Sequence, residues 1–248
     1  MTVRMAEMSW QDYQGKIKND AVVILPVGST EEHGPHLPLG VDVILSTGFA
    51  EELAKEIGGV VAPAVMYGFK GETGGGPIFP GTIDLNAATL INLVHDILEE
   101  LVADGVKRIF IMNGHFENEM FLLEAMDLTT KRHPDVKIVE TAWWDQIDEA
   151  MIPKIFDEVD FPGWAVEHAA IAETSLTMHF APHLVRMDRF VEEDQIETFP
   201  YHVSPIKRAI FPKLGSPSTS RSSSPEKGKL IVEGVLKGFK AIIREEFP

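Results

Sequence analysis

The 248-residue sequence contains no cysteine, which excludes disulfide bonds, thiolate nucleophiles and cysteine-ligated zinc. Basic residues are also few, with 22 Lys and Arg against 38 Asp and Glu, and the formal net charge is -16. Because nucleic acids and anionic membranes attract basic surfaces, this charge argues against both as partners. No apolar run approaches the roughly 20 residues that span a membrane, and residues 1–9 lack the apolar segment of a signal peptide. We therefore expect a cytoplasmic protein.

The rest of the composition is that of an ordinary globular protein, with 44% hydrophobic and 24% charged residues. No linker divides the chain in the middle, so we predict a single domain over residues 1–248. The one low-complexity stretch, SPSTSRSSS at residues 216–224, precedes a single helix. This placement favours a surface loop over a domain boundary.

Apolar runs alternate along the chain with segments of helical spacing. The apolar runs predict buried strands at residues 21–27, 60–66, 108–112 and 136–142. The helical spacing predicts helices at residues 1–19, 44–57, 86–103, 118–133, 167–180 and 225–246. Such alternation is typical of a three-layer α/β/α sandwich with a mostly parallel sheet. A long Gly-rich loop at residues 67–82 interrupts the pattern, and loops of this length in a compact domain are often functional.

Acidic residues and histidines follow two of the predicted strands. Glu31-Glu32-His33 comes after the first strand, with Asp42 shortly beyond, and His115-Phe116-Glu117 comes after the third. Ligands of α/β sheets bind outside the carboxyl ends of the strands. Residues two apart on an extended chain point to the same side, so each cluster can present an imidazole with a carboxylate. Two imidazoles and three carboxylates suffice for two divalent ions that share one carboxylate.

Simpler explanations exist for the same residues. Asp42 stands just ahead of a predicted helix, where it could act as an N-cap, and Glu117 lies near the start of another helix, where negative charge is favoured. A non-catalytic metal- or ligand-binding protein would also use such a cluster. A nucleotide-binding domain is less suitable, because Gly28-Ser29-Thr30-Glu31 is not a dinucleotide fingerprint and no Lys-Ser/Thr pair follows Gly74-Gly75-Gly76.

Three sequence blocks resemble the signatures of the creatininase family, the creatinine amidohydrolases. They are LPVGSTEEHGPHLPLGVDV (residues 25–43), GGGPIFPGT (residues 74–82) and MNGHFEN (residues 112–118). The resemblance continues through Trp143-Trp144-Asp145, the segment Gly163 to His168 and Glu173-Thr174-Ser175, and it covers nearly the whole chain. The block around Trp164 is narrower and resembles the creatinine-hydrolysing members of the family.

The resemblance implies a binuclear metal centre of two divalent ions in each chain. Glu31 and His115 would hold one ion, often Mn²⁺, whereas His33 and Glu117 would hold the other, typically Zn²⁺. Asp42 would bridge both ions. The implied reaction opens a cyclic amide, with creatinine as the leading substrate and creatine as its product, by attack of a water activated between the two ions. The resemblance also implies assembly into homohexamers.

The resemblance further implies a substrate pocket formed by Thr73, Phe116, Trp144, Trp164 and His168. The indole faces could stack on a small flat ring that carries cationic character. His168 is the candidate proton shuttle, because imidazole titrates near physiological pH, and Glu117 could also accept a proton from water.

Two pocket residues depart from the pattern of the creatininases. Phe116 stands where a Tyr is usual, and Thr73 where a Ser is usual. Neither departure affects an implied metal ligand, so both bear on the choice of substrate. The alternative is another amide hydrolase of the same family, such as a formamide hydrolase of flavin or deazaflavin biosynthesis or a peptide-maturing amidase.

Overall fold

Four parallel strands form the centre of the molecule in a computed structural model that describes residues 2–71, 79–193 and 212–248. They are β1 (Val23–Val27), β2 (Val60–Val61), β3 (Arg108–Asn113) and β4 (Lys137–Ala142), in the order β2-β1-β3-β4. In register, Val23 of β1 lies between Val60 and Ile109. Every residue of β1 is buried, and because side chains alternate between the two faces of a sheet, both faces must be covered.

Helices cover the two faces of the sheet and create two hydrophobic cores. The first core contains Ile24 and Phe110 of the sheet with side chains of α2 (Val41–Ile57), α6 (Ile171–Phe180) and α7 (Pro225–Glu246). The second core contains Leu25 and Ile111 with α3 (Ala87–Ala103) and α4 (Glu119–Arg132). Two further helices are α1 (Trp10–Lys18) and α5 (Ile152–Ile155). The predicted α/β sandwich with a parallel sheet is thereby confirmed.

The largest differences from the predicted elements lie at their ends. The strand predicted at residues 60–66 is regular only over Val60–Val61, because Pro63 lacks a backbone N–H for the ladder. The helix predicted at residues 1–19 is split at Ser9, whose hydroxyl caps α1 by accepting a hydrogen bond from the amide of Asp12. The helix predicted at residues 167–180 begins only at Ile171. Within the described residues, no helix is both long and apolar enough to cross a membrane.

The serine-rich segment at residues 216–224 is not the surface loop that composition suggested. Ser216, Ser218 and Ser220 are only 1%, 5% and 0% exposed. The prediction was wrong because hydroxyl groups can be buried when backbone carbonyls accept their protons, as Ser218 O does from Ser216 Oγ at 3.0 Å. Composition alone does not reveal such partners. Thr73 and Gly74-Gly75-Gly76 lie outside the described residues.

Candidate metal centre and adjacent pocket

The carboxyl ends of β1 and β3 are neighbours in the sheet, and the candidate ligands follow them directly. β1 leads to Glu31 and His33, and β3 leads through Gly114 to His115. A Cβ atom at Gly114 would lie 2.3 Å from the backbone oxygen of Asp42. Only glycine therefore lets the chain after β3 approach the first turn of α2, where Asp42 resides.

Asp42 lies between two imidazoles. Its Oδ1 atom is 3.0 Å from His33 Nε2, and its Oδ2 atom is 3.2 Å from His115 Nδ1. Glu31 Oε1 reaches the same His115 nitrogen at 3.1 Å. Gly40 occupies the N-cap position of α2, and no side chain makes a capping hydrogen bond there. The carboxylate of Asp42 thus faces the histidines rather than acting as a helix cap.

Two groups of possible cation ligands share Asp42. One group is Glu31, Asp42 and His115, and the other is His33, Asp42 and Glu173, with the ligand atoms of each group within 4.8 Å of one another. Glu173 extends from the first turn of α6 and places its Oε2 atom 3.6 Å from His33 Nε2. Glu173 belongs to a sequence block that resembles the family, but no role was predicted for it from the sequence.

Glu117 lies beside His115. Its Oε2 atom is 3.4 Å from His115 Nε2, the ring nitrogen opposite the one that faces Glu31 and Asp42. Resemblance to the family pairs Glu117 with His33 as ligands of one ion, and the chain expected to be extended after His115 is instead a 3-10 turn over Phe116–Asn118. Glu117 lines the adjacent pocket and lies outside the two ligand groups.

The ligand groups are chemically suited to divalent cations. Glu31 Oε2, His33 Nε2 and Asp42 Oδ2 are buried and make no hydrogen bond to any described residue. Leaving such atoms without a partner is costly, and a cation would satisfy all three at once. Carboxylate oxygens and imidazole nitrogens, without thiolates, suit Zn²⁺ and Mn²⁺.

The pKa values in this cluster reflect the same excess of negative charge. Burial alone would lower the pKa of His115, but the charges of Glu31 and Glu117 outweigh it and raise that pKa well above its ordinary value. Burial would raise the pKa of Asp42, yet the charges of His33 and His115, whose ring nitrogens face its two oxygens, lower it. Without a bound cation, only protonated imidazoles can balance the negative charge of the carboxylates, so the histidines hold protons strongly. Binding of a cation would release those protons.

His168 lies beside the ligand groups with one ring nitrogen already engaged. Its Nε2 atom is 2.8 Å from the backbone oxygen of Glu32, so this nitrogen carries a proton that it donates to the carbonyl. In the neutral ring, Nδ1 is then the proton acceptor, 3.7 Å from Glu31 Oε1. Burial lowers the pKa of His168, but contact with the Glu32 carboxylate and the charge of Glu31 raise it well above its ordinary value overall.

Aromatic side chains form the wall of a pocket that opens onto these groups. Trp144 is 8% exposed and Phe116 is 45% exposed, with ring centroids 5.9 Å apart. Trp164 packs edge-on against Trp143 at 5.7 Å. Four of the five predicted pocket residues thus line one cavity, and Thr73 lies outside the described residues. The cavity also includes Glu31, Asp42, His115, Glu117, Glu167 and Glu173.

Comparisons with known proteins agree with this site. The family model described as "Creatininase: Creatinine amidohydrolase" matches residues 6–243. The creatinine amidohydrolase of Pseudomonas putida is 40% identical over 100% of this chain and 98% of its own length. A mycofactocin precursor peptide peptidase from Mycolicibacterium smegmatis is 32% identical over 68% of this chain and 62% of its own length.

Solved structures give the same result. A creatininase with a Glu-to-Gln substitution, complexed with creatine, superimposes with a TM-score of 0.95 at 39% identity and covers 100% of both chains. A structure described as "Creatininase Mn" has a TM-score of 0.95 at 40% identity, again over 100% of both chains.

Carboxylates and imidazoles are grouped at the carboxyl edge of a parallel sheet, and this group of side chains is open to a pocket. Such an arrangement defines a metal-dependent hydrolase of the α/β class. More narrowly, the chain belongs to the creatininase family and is an amidohydrolase of that type.

Proposed function

We propose that this enzyme hydrolyses creatinine to creatine with two divalent cations bound at the shared carboxylate of Asp42. The observation that carries the proposal is that both ligand groups contribute to one cavity, where Trp144, Trp164 and His168 also lie; the ligands that line it are Glu31, Asp42, His115 and Glu173. The reaction adds water across the cyclic amide. A C–O bond forms at the carbonyl carbon, the ring C–N bond breaks, and the leaving nitrogen gains a proton.

In this proposal, Glu31, Asp42 and His115 hold one ion, and His33, Asp42 and Glu173 hold the other. When bound, divalent ions lower the pKa of water and stabilise negative charge that develops on a carbonyl oxygen. Resemblance to the family favours Zn²⁺ and Mn²⁺ as the pair. Glu173 replaces Glu117 in the predicted ligand set, because its Oε2 atom faces His33 Nε2 at 3.6 Å.

His168 and Glu117 are the residues that we propose to move protons. His168 Nδ1 accepts a proton from the attacking water and passes it to the leaving nitrogen, while Nε2 stays bonded to Glu32 O. Glu117, whose side chain is 25% exposed at the pocket, is the second candidate acceptor. Because His168 is held at Nε2, only Nδ1 needs to change protonation during the reaction.

The aromatic wall would select a small flat substrate. Trp144 and Trp164 offer faces and edges that stack on a planar ring, and a π face favours a ring with positive charge. Phe116 contributes an apolar edge at the mouth of the pocket without the hydroxyl that a Tyr would supply.

The decisive experiment measures creatinine conversion to creatine by the purified protein, with and without a chelator, and after return of Mn²⁺ or Zn²⁺. Turnover that the chelator abolishes and the metal restores is the expected result. A linear formamide and a short peptide are assayed in parallel. Turnover of either without turnover of creatinine would overturn the proposed substrate and favour another amidase of the family.

We also propose that the enzyme is cytoplasmic, as its composition suggests, and a homohexamer, as resemblance to the family implies. Several large apolar side chains of the described residues are exposed, including Met66 at 54%, Phe116 at 45% and Met120 at 69%. Exposed apolar surface often lies in subunit contacts. Light scattering of the purified protein would measure the mass, and a monomer would contradict the proposal.

A further inference from the structure

Ala169 has a backbone conformation that alanine rarely adopts. Its φ angle is +52°, in the left-handed region, although it is not a glycine. The residue is completely buried and directly follows His168. Non-glycine residues persist in this region only where surrounding contacts hold them, and they concentrate at functional sites. Both polar groups of the Ala169 backbone are indeed engaged.

The amide of Ala169 holds a proposed metal ligand. Its N–H donates to Glu173 Oε2 at 2.6 Å, and this same oxygen faces His33. Ala169 therefore connects two functional side chains, since His168 precedes it in sequence and Glu173 is bound to its amide. A change in φ at Ala169 would have to move one of them, because α6 is packed in the core and His168 is bonded to Glu32 O.

The carbonyl of Ala169 is held by the serine-rich segment. Ser220 Oγ donates a short hydrogen bond to Ala169 O. The hydroxyls of Thr174 and Ser216 lie 3.4 Å from the same oxygen, at the limit of hydrogen bonding, and Ser216 has a better acceptor in Ser218 O at 3.0 Å. Because each hydroxyl has one proton to donate, Ser220 is the principal donor to this carbonyl.

We propose that Ser220 is a positioning residue of the active site. Its hydroxyl holds Ala169 in the left-handed conformation and thereby sets the directions of His168 and Glu173. The positioning of His168 for catalysis rests on the proposed function. The positioning of Glu173 toward a cation does not depend on which amide is hydrolysed.

The test compares Ser220→Ala with Ser218→Ala. Ser218 is a matched control, because it belongs to the same buried segment and its hydroxyl makes no hydrogen bond to a described residue. We expect Ser220→Ala to weaken Zn²⁺ binding and to lower kcat for creatinine, each by about 10- to 100-fold, the usual effect of losing a residue that orients a ligand. Ser218→Ala should stay within about twofold of the parent in both measurements.

The double variant Ser220→Ala with Ala169→Gly identifies the mechanism. Glycine adopts positive φ without a Cβ penalty, so the double variant should recover most of the lost Zn²⁺ affinity and kcat. Equal impairment of the single and double variants would overturn the proposal, as would wild-type Zn²⁺ affinity in Ser220→Ala. If Ser220→Ala does not fold, Ser220→Cys keeps a side chain of similar size with a weaker donor, and the same comparison with Ala169→Gly applies.

A crystal structure of the Ser220 variant supplies a readout that is independent of activity. We expect the φ angle of Ala169 to leave the left-handed region, or the contact between His168 Nε2 and Glu32 O to lengthen from 2.8 Å. An unchanged φ angle with unchanged His168 and Glu173 would overturn the proposal. If the parent enzyme does not hydrolyse creatinine, the proposed function fails, but Zn²⁺ affinity and the structure still decide the role of Ser220.

Discussion

Replacement of Glu173 by Gln tests which carboxylate completes the second ligand group. Gln preserves the size of the side chain and can still accept the Ala169 N–H, but it removes the negative charge. Glu173 Oε2 lies 3.6 Å from His33 Nε2. A carboxylate within about 4 Å of one unit of cation charge contributes about 4 kcal/mol with an effective dielectric constant of about 20. This energy corresponds to about a 10³-fold loss of cation affinity.

We therefore expect Glu173→Gln to retain one ion per chain after dialysis, where the parent protein retains two. Elemental analysis gives the stoichiometry, and calorimetric titration of the metal-free protein with Zn²⁺ gives the affinity. Glu117→Gln is the matched control and should keep both ions while it loses turnover. Two tightly bound ions in Glu173→Gln, or the loss of one ion in Glu117→Gln, would refute the assignment and restore the predicted ligand set.

Three further predictions concern metal removal, the proton shuttle and pH. Each ion present at 100 times its Kd contributes about 2.7 kcal/mol to the free energy of unfolding. Removal of the ions by a chelator should therefore lower the Tm measured by calorimetry by about 5–20 °C. An unchanged Tm would contradict a buried metal centre. His168→Ala should lower kcat by about 10²–10⁴ while both ions stay bound, and loss of an ion would instead make His168 a ligand. Burial and the nearby charges of Glu119 and Asp145 raise the pKa of Glu140, on β4, to about 8. Between about pH 5 and 8, Glu140 therefore keeps its proton in the folded state but loses it in the unfolded state. The free energy of unfolding consequently falls as the pH rises through this range. In urea denaturation, Glu140→Gln should therefore be more stabilising at pH 8 than at pH 5 by at least about 1 kcal/mol, and equal effects at both pH values would contradict the raised pKa.

The parts of the fold that could be predicted are those with strong local signals. β1 is continuously apolar and β3 is apolar except at its two ends, a pattern typical of strands covered on both faces. Glu31, His33 and His115 could be placed because they follow those strands, and strand ends in a parallel sheet share one edge. Asp42 could be proposed because the Pro-rich loop before it can fold back, but its position depends on the close approach of Gly114 to the first turn of α2, which the sequence does not reveal.

The role of Glu173 could not be predicted from local pattern. It lies on a helix far along the chain, and it reaches His33 only because α6 packs against α2 in the first core. Nothing in its immediate neighbours distinguishes it from Glu167, which is also buried. The pairing of Glu117 with His33 came from resemblance to the family, whereas the 3-10 turn at Phe116–Asn118 was not predicted from the sequence. The left-handed conformation of Ala169 likewise has no local signal, because glycine is the residue that normally indicates it.

The close packing of α7 on α6 has a consequence for how the enzyme matures. A Cβ atom at Gly228 would lie 2.1 Å from the backbone oxygen of Ser175, so the two helices meet almost backbone to backbone just beyond Glu173. A ribosome delivers Glu31 well before Ser220 and α7, and domains fold as units during synthesis. The complete set of ligands and its support therefore come together only after α7 has been synthesised. We expect the cations to load at that stage, so that the metal available then influences which ions the new enzyme acquires.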